Sequence, residues 1–143
     1  MGKTDTNHRY SLALPGVWED QTVHIFMGPE DSGVQHSLTM VVDMYLETGD
    51  LAEYADQQTE IFMASLSGAE LIKNEQVTLD SGTPAWVAVC KTVPSANQVL
   101  LQRRVYVLAN NTGYIFTANF SRKTIKTVGK QVLQIINSLV PTG

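Results

Sequence analysis

The sequence predicts an α+β fold in which an antiparallel sheet of six to seven strands packs with two main helices. Three observations support this prediction. Several short segments alternate apolar and polar residues and are separated by Gly, Pro and Asn turns. Two other segments repeat apolar residues with helical spacing. A chain of 143 residues is long enough for the core of a single domain of this kind.

The predicted strands come in two groups on either side of the first helix. The first group covers residues 10–14, 22–27 and 37–45, and the turns Pro15-Gly16 and Gly28-Pro29 separate its members. The second group covers residues 71–79, 85–92, 99–108 and 114–120. Short turns rich in Gly, Pro, Ser and Asn join these strands, so we expect an antiparallel meander.

Two amphipathic helices complete the predicted fold. Asp50 suits the N-cap of the first helix, with Glu53 at the third helical position as in a capping box. Its predicted apolar face contains Leu51, Tyr54, Ala55, Ile61, Phe62 and Leu66, and a glutamine, Gln58, lies in the middle of that face. The second helix is predicted over residues 124–139, and Pro141 follows its end.

Composition limits the partners and the cell compartment. The formal charge is −4 with only 10 Lys and Arg residues, which argues against nucleic-acid binding. No apolar run reaches the length needed to cross a bilayer, and the polar opening residues contain no secretory segment. We therefore expect a cytoplasmic protein without stable membrane insertion, in which residues 1–9 are a disordered tail and residues 10–143 form one domain.

The residues that could carry chemistry do not form a known catalytic or metal-binding pattern. His8, His24 and His36 lack metal-ligand spacing with carboxylates or with the single cysteine, Cys90. Cys90 lies in the apolar run AWVAVC, which predicts a buried thiol. The sequence thus predicts no enzyme, no metal and no cofactor. An enzyme that uses Asp20, His24 or Asp43 is the alternative.

The two strands 22–27 and 37–45 carry apolar side chains on both faces, which is unusual for a sheet with one solvated face. Two helices can cover one face of such a sheet but not easily both. The surplus apolar face should then contact a second copy of the chain, another partner or an apolar ligand. Polar residues interrupt two other apolar surfaces: Gln58 lies in the apolar face of the first helix, and Gln102 and Arg104 share a strand face with Leu100, Tyr106 and Leu108. Gln58 is either a buried amide bonded to nearby backbone or a hydrogen-bonding group that points into a groove.

The opening segment Y-x-L-x-L-P-x-x-W-x-D-Q-T-x-x-I-F resembles the DcrB-like family, and within it most closely the Eag chaperones of bacterial type VI secretion. The residues that carry this pattern are Tyr10, Leu12, Leu14, Pro15, Trp18, Asp20, Gln21, Thr22, Ile25 and Phe26. The pair Tyr54 and Gln58, the strand LQRRVYV and the aromatic strand 114–120 also match. The resemblance extends over nearly the whole chain, from Tyr10 to Pro141.

This resemblance implies a Mog1/PsbP-like fold, a homodimer and a cytoplasmic chaperone role. The implied partner is a secreted effector with a PAAR domain, whose N-terminal transmembrane helices the chaperone shields. Mapped onto this chain, the groove residues are Val23, Ile25, Gln58, Gln102 and Arg104. Met40 is added to the predicted groove because methionine adapts to different helices, and the alternative is that it belongs to the ordinary core. Arg104 stands where the family often has Gln. The alternative is a DcrB-like envelope or stress-related binding protein with no role in secretion.

Overall fold

The main sheet has six antiparallel strands, and two further strands form a separate hairpin. The computed structural model describes residues 3–6, 11–16, 22–31, 34–44, 46–66, 68–95 and 98–141. The strands are β1 Lys3–Thr6, β2 Ser11–Leu14, β3 Thr22–Asp31, β4 Val34–Asp43, β5 Glu70–Thr78, β6 Pro84–Ser95, β7 Gln98–Ala109 and β8 Thr112–Phe120. The hairpin consists of β1 and β2, and the order in the main sheet is β3-β4-β8-β7-β6-β5. The helices are α1 Leu51–Ala64 and α2 Val128–Asn137, and a short 3-10 turn, Thr124–Lys126, precedes α2. The predicted α+β class with an antiparallel sheet and two helices is confirmed.

The second group of strands forms the predicted meander because its turns suit tight hairpins. Asn110 and Asn111 have φ values of 54° and 61°. They form the two-residue turn between Ala109 and Thr112, the last paired residues of β7 and β8. Asparagine tolerates this left-handed conformation, and two such residues in a row make the turn that matches the natural twist of paired strands.

The two helices lie on opposite faces of the main sheet, whereas the sequence analysis expected them to share one face. On one face, α2 packs on the larger core through Val128, Val132 and Ile136. On the other face, Tyr54 and Ala55 of α1 pack on a smaller cluster with Ala88, Tyr106 and Ile115. Each helix therefore covers only part of its face, and on the end strand β3 four apolar side chains stay about half exposed or more, namely Val23, Ile25, Phe26 and Met27.

The start of α1 follows the prediction with one change of partner. Asp50 caps the helix because its Oδ1 accepts a hydrogen bond from the backbone N–H of Glu53 at 3.1 Å. The N–H of Asp50 donates to Thr48 Oγ1 at 3.1 Å, and this hydroxyl in turn donates to Glu53 Oε2 at 3.2 Å. Thr48 thus mediates the second half of the predicted capping box.

Two other local differences have simple physical reasons. The predicted single helix over residues 124–139 begins as a 3-10 turn, where Ser121 and Thr124 bond each other's backbone N–H, and the chain leaves helical geometry at Thr127. Within the residues expected to form a tail, Lys3–Thr6 pairs with Ser11–Leu14 as an antiparallel hairpin. None of the helices in the described ranges has the length and apolar character needed to cross a membrane.

Candidate functional site

The face of the sheet that α1 occupies is left open on the side of β3. The strand register places Ile25, Thr39, Thr117 and Arg104 side by side on this face, each on the neighbouring strand. The helix α1 packs mainly on β6 and β7, and its Tyr54 extends this cover to Ile115 of β8 and Asp43 of β4. The part of the face over Thr117, Thr39 and β3 stays at least partly exposed. We call this area the open trough, and its floor consists of Val23, Ile25, Met27, Thr39, Thr117 and Arg104.

The width of the open trough follows from the strand spacing. Thr117 of β8 and Ile25 of β3 are two strands apart in the sheet order, and each step is about 4.8 Å. The uncovered floor is therefore about 10 Å wide, with Arg104 at its border under α1. An α-helix with its side chains has a diameter of about 10–12 Å. One helix would fill this width.

The edge strand β3 gives the open trough its apolar character. Val23, Ile25 and Met27 alternate along β3 with their side chains on this face, and their exposed fractions are 51%, 63% and 67%. Three apolar side chains exposed to this extent in one row form a continuous patch rather than scattered surface residues. The predicted surplus apolar face is therefore present at Val23 and Ile25.

The helix α1 forms the wall of the open trough. Tyr54, Gln58 and Ile61 lie on one flank of α1 because they are spaced by four and three residues. The Tyr54 hydroxyl donates to Asp43 Oδ2 of β4 at 2.9 Å, so this flank is turned towards the uncovered strands. Ile61, which the sequence placed on the core face, is 67% exposed there.

Arg104 lies at the foot of this wall and is held by aromatic groups. Its Nε donates to the Tyr106 hydroxyl at 2.8 Å, and its guanidinium carbon is 4.4 Å from the centre of the Phe62 ring. Thr59 of α1 donates to the same Tyr106 hydroxyl at 3.3 Å. Within the described ranges, the salt bridges join Lys73 to Glu75 and Lys91 to Glu70, and no carboxylate pairs with Arg104.

Two glutamines near Arg104 retain unused hydrogen-bonding capacity. Gln102 donates to Asn119 Oδ1 at 2.9 Å, while its own Oε1 is buried and accepts no hydrogen bond from the residues that the structure describes. Gln58 is half-buried, and its side chain makes no hydrogen bond to any residue in the described part of the chain. The described residues therefore do not include the hydrogen bond to neighbouring backbone that one of the two interpretations of Gln58 requires.

The structure brings five of the six predicted groove residues to one face. Val23, Ile25, Gln102 and Arg104 share the floor side, and Gln58 is on the wall. Met40 lies on the opposite face, because it alternates with Thr39 and Val41 along β4, and there it packs against the core beneath α2. Sequence reasoning missed Thr39 and Thr117, which only the cross-strand register identifies as neighbours of Ile25 and Arg104.

The residues considered for chemistry are dispersed or already engaged. His24 faces away from the open trough and stacks on Phe26, whereas Asp43 accepts the hydrogen bond from Tyr54. Burial, with help from Asp43, raises the pKa of the Tyr54 hydroxyl well above its usual value. His8, Trp18 and Asp20 lie outside the described residues. The described ranges contain no group of three His, Cys, Asp or Glu side chains placed to bind a metal.

Cys90 is buried, as predicted, and its thiol contacts Met63 of α1 with 3.4 Å between the sulfur atoms. Burial raises the pKa of this thiol, and the positive charge of Arg104 opposes that shift only in part. A thiol that is kept protonated and covered is a poor nucleophile. In this arrangement Cys90 helps to fix α1 on the sheet.

Comparison with known proteins identifies the sequence family. The sequence model of the family described as DcrB matches residues 10–138. No curated protein matches the sequence.

Solved structures of other proteins superpose on this chain at low sequence identity, and the first two below share its fold. PA94 of Pseudomonas aeruginosa, a protein of unknown function, superposes with a TM-score of 0.74 and 21% identity, over 99% of this chain and 98% of that one. The PsbP protein of the cyanobacterium Synechocystis superposes with a TM-score of 0.51 and 16% identity, over 96% and 89% of the two chains. The Ran-binding protein Mog1p of Saccharomyces cerevisiae has a TM-score of 0.47 and 13% identity, with 98% and 86% covered.

Proposed function

This chain belongs to the DcrB family, and we propose that it is a non-enzymatic chaperone that holds an apolar helix of another protein in the open trough. The observation that carries this proposal is the exposed row Val23, Ile25 and Met27 beside an uncovered floor as wide as one helix. The client that fits the sequence resemblance is a type VI secretion effector with a PAAR domain and N-terminal transmembrane helices. The chaperone would hold these helices in the cytoplasm before export.

The physical basis of such a role is burial of apolar surface without any chemical step. A transmembrane helix in water exposes apolar surface that costs about 25 cal/mol per Å². Contact with Val23, Ile25, Met27 and Ile61 would remove part of that surface from water on the side facing the chaperone. The remaining side needs a second cover, because a single trough contacts only one side of a helix.

We propose that a second copy of the chain supplies this cover. The described strands place β3 at the end of the six-stranded sheet, so its outer backbone groups are available for another chain. Edge strands with exposed apolar side chains are sites of pairing between chains. Two troughs brought together at this edge could enclose a helix on two sides.

Co-expression tests the chaperone proposal directly. The chain is produced together with the N-terminal segment of a PAAR-containing protein encoded by a neighbouring gene, and soluble complex is measured by affinity capture and size-exclusion chromatography. We expect a soluble complex with the wild type and a strongly reduced yield with Val23→Asp, which places a charge on the floor of the open trough.

Thr22→Asp is the matched control, since Thr22 is exposed on the opposite face of the same strand. It should retain the complex. Equal yields for Val23→Asp and Thr22→Asp would refute the open trough as the binding surface. Capture of unrelated apolar helices but not of the effector segment would favour the envelope or stress-related alternative.

A further inference from the structure

Arg104 is a cation on a floor whose other residues are apolar or uncharged, and this placement has an energetic consequence. Its Nε is already bonded to Tyr106, while the two Nη groups at the end of the guanidinium have no carboxylate partner among the described residues. The ring of Phe62 contacts its face and does not use these in-plane donors.

Covering Arg104 with a wholly apolar helix would leave a charge and its donors without water and without a partner. Removal of water from the guanidinium without a replacement is unfavourable, because a buried charge requires a counter-charge or hydrogen-bond acceptors. The backbone carbonyls in the middle of a helix are weak partners, since each already accepts a bond within the helix and carries no negative charge. An acidic side chain of the client supplies both the acceptor atoms and the counter-charge.

We infer that the client helix carries one acidic side chain that faces Arg104 and pairs with its Nη donors. This inference rests on the proposed function and names the chemistry of its client. A carboxylate accepts two parallel hydrogen bonds from a guanidinium, so the pair would set the rotation and depth of the helix in the open trough. An acidic residue inside an apolar segment is itself costly in water-free surroundings. The chaperone would thus select apolar helices that contain one acidic residue, whereas a purely apolar surface would bind such helices poorly.

Synthetic helices test this selectivity without knowledge of the natural client. The probes are Leu/Ala peptides of roughly 20 residues, long enough to mimic a transmembrane segment, with flanking lysines for solubility. Their central residue is Asp, Asn or Leu, and their Kd values for the full chain are measured at neutral pH by fluorescence anisotropy. We expect the Asp peptide to bind about tenfold or more tightly than the Asn peptide, as a charge-assisted pair replaces neutral hydrogen bonds.

Variants separate a local pair from the general attraction of opposite charges. Arg104→Gln should abolish the preference for Asp over Asn, and Arg104→Lys should retain part of it because the charge stays but the paired geometry is lost. Lys130→Gln removes an exposed positive charge from α2, on the other face of the sheet, and should leave the preference unchanged. Circular dichroism confirms that each variant is folded, and Arg104→Lys provides the test if Arg104→Gln is not.

The outcomes distinguish the inference from the function on which it rests. Equal affinity of the wild type for the Asp and Asn peptides, or a preference that persists in Arg104→Gln, would overturn the inference and leave the chaperone proposal standing. If none of the three peptides binds the wild type, the proposed function fails, and the inference fails with it.

Discussion

Ile25 offers the sharpest test of the open trough, because it is exposed in the isolated chain and would be covered by a bound helix. Full burial of an isoleucine side chain contributes about 1.5–3 kcal/mol. Since 63% of Ile25 is exposed, complete cover by a client would add about 1–2 kcal/mol. Ile25→Ala should therefore raise the Kd of the Leu-centred peptide by about 5- to 30-fold.

Ile25→Asp should weaken binding further, because it replaces the lost apolar contact with a carboxylate that a bound helix would desolvate. His24→Asp is the matched control. It places the same residue on the same strand, and His24 is exposed on the opposite face. Both Asp variants should lose a similar, small amount of stability, within about 1 kcal/mol, since each introduces a poor strand former at an exposed site.

The measurements are peptide affinity by anisotropy and the free energy of unfolding by urea titration. Full affinity in Ile25→Asp, with stability equal to that of His24→Asp, would refute the assignment of this face as the binding surface. An equal loss of affinity in both Asp variants would also refute it, because the effect would then come from the strand and not from the face.

Three further predictions address the wall, the core and the buried thiol. Gln58→Ala should weaken binding of the Asn-centred peptide by about 1 kcal/mol, the value of one hydrogen bond, and unchanged affinity would exclude a contact by Gln58. Gly113→Ala should lower the free energy of unfolding in urea titration by about 1–3 kcal/mol. The reason is that the new Cβ would lie 2.7 Å from the Tyr54 hydroxyl, which Asp43 holds in place. A smaller cost in a Tyr54→Phe background would identify this clash. Iodoacetamide at pH 8 should modify Cys90 much more slowly in the folded than in the unfolded protein, since burial raises the pKa of the thiol, and equal rates by mass spectrometry would contradict that burial.

Much of the fold could be predicted because its signals are local. The capping position of Asp50 and the paired asparagines between β7 and β8 each depend on a few neighbouring residues. Strand alternation likewise depends only on the chain's own period of two residues. Apolar spacing does not reveal the split at the start of the last helix, because Ser121 and Thr124 bond each other's backbone N–H as in a capping box and start a separate 3-10 turn that ends at Thr127.

The candidate site was only partly predictable, since its residues come from strands far apart in the chain. The apolar faces of the first strands correctly indicated surplus surface at Val23 and Ile25. Met40 was grouped with them because both faces of β4 are apolar and sequence does not tell which face a helix covers. Thr39 and Thr117 could not be identified before the strand order and register were known.

The sequence by itself determined the number and kind of most elements, the burial of Cys90 and the excess of apolar strand surface. These properties can be predicted from the local pattern of apolar and polar residues, which depends on neighbours along the chain and not on the tertiary structure. Only the tertiary structure decided that α1 and α2 lie on opposite faces and that α1 leaves Val23, Ile25 and Met27 of β3 exposed. It also decided that Arg104, Gln58 and Ile25 border one trough. Those outcomes depend on which strands pair and where each helix packs, and the energies that select them come from contacts between residues distant in sequence.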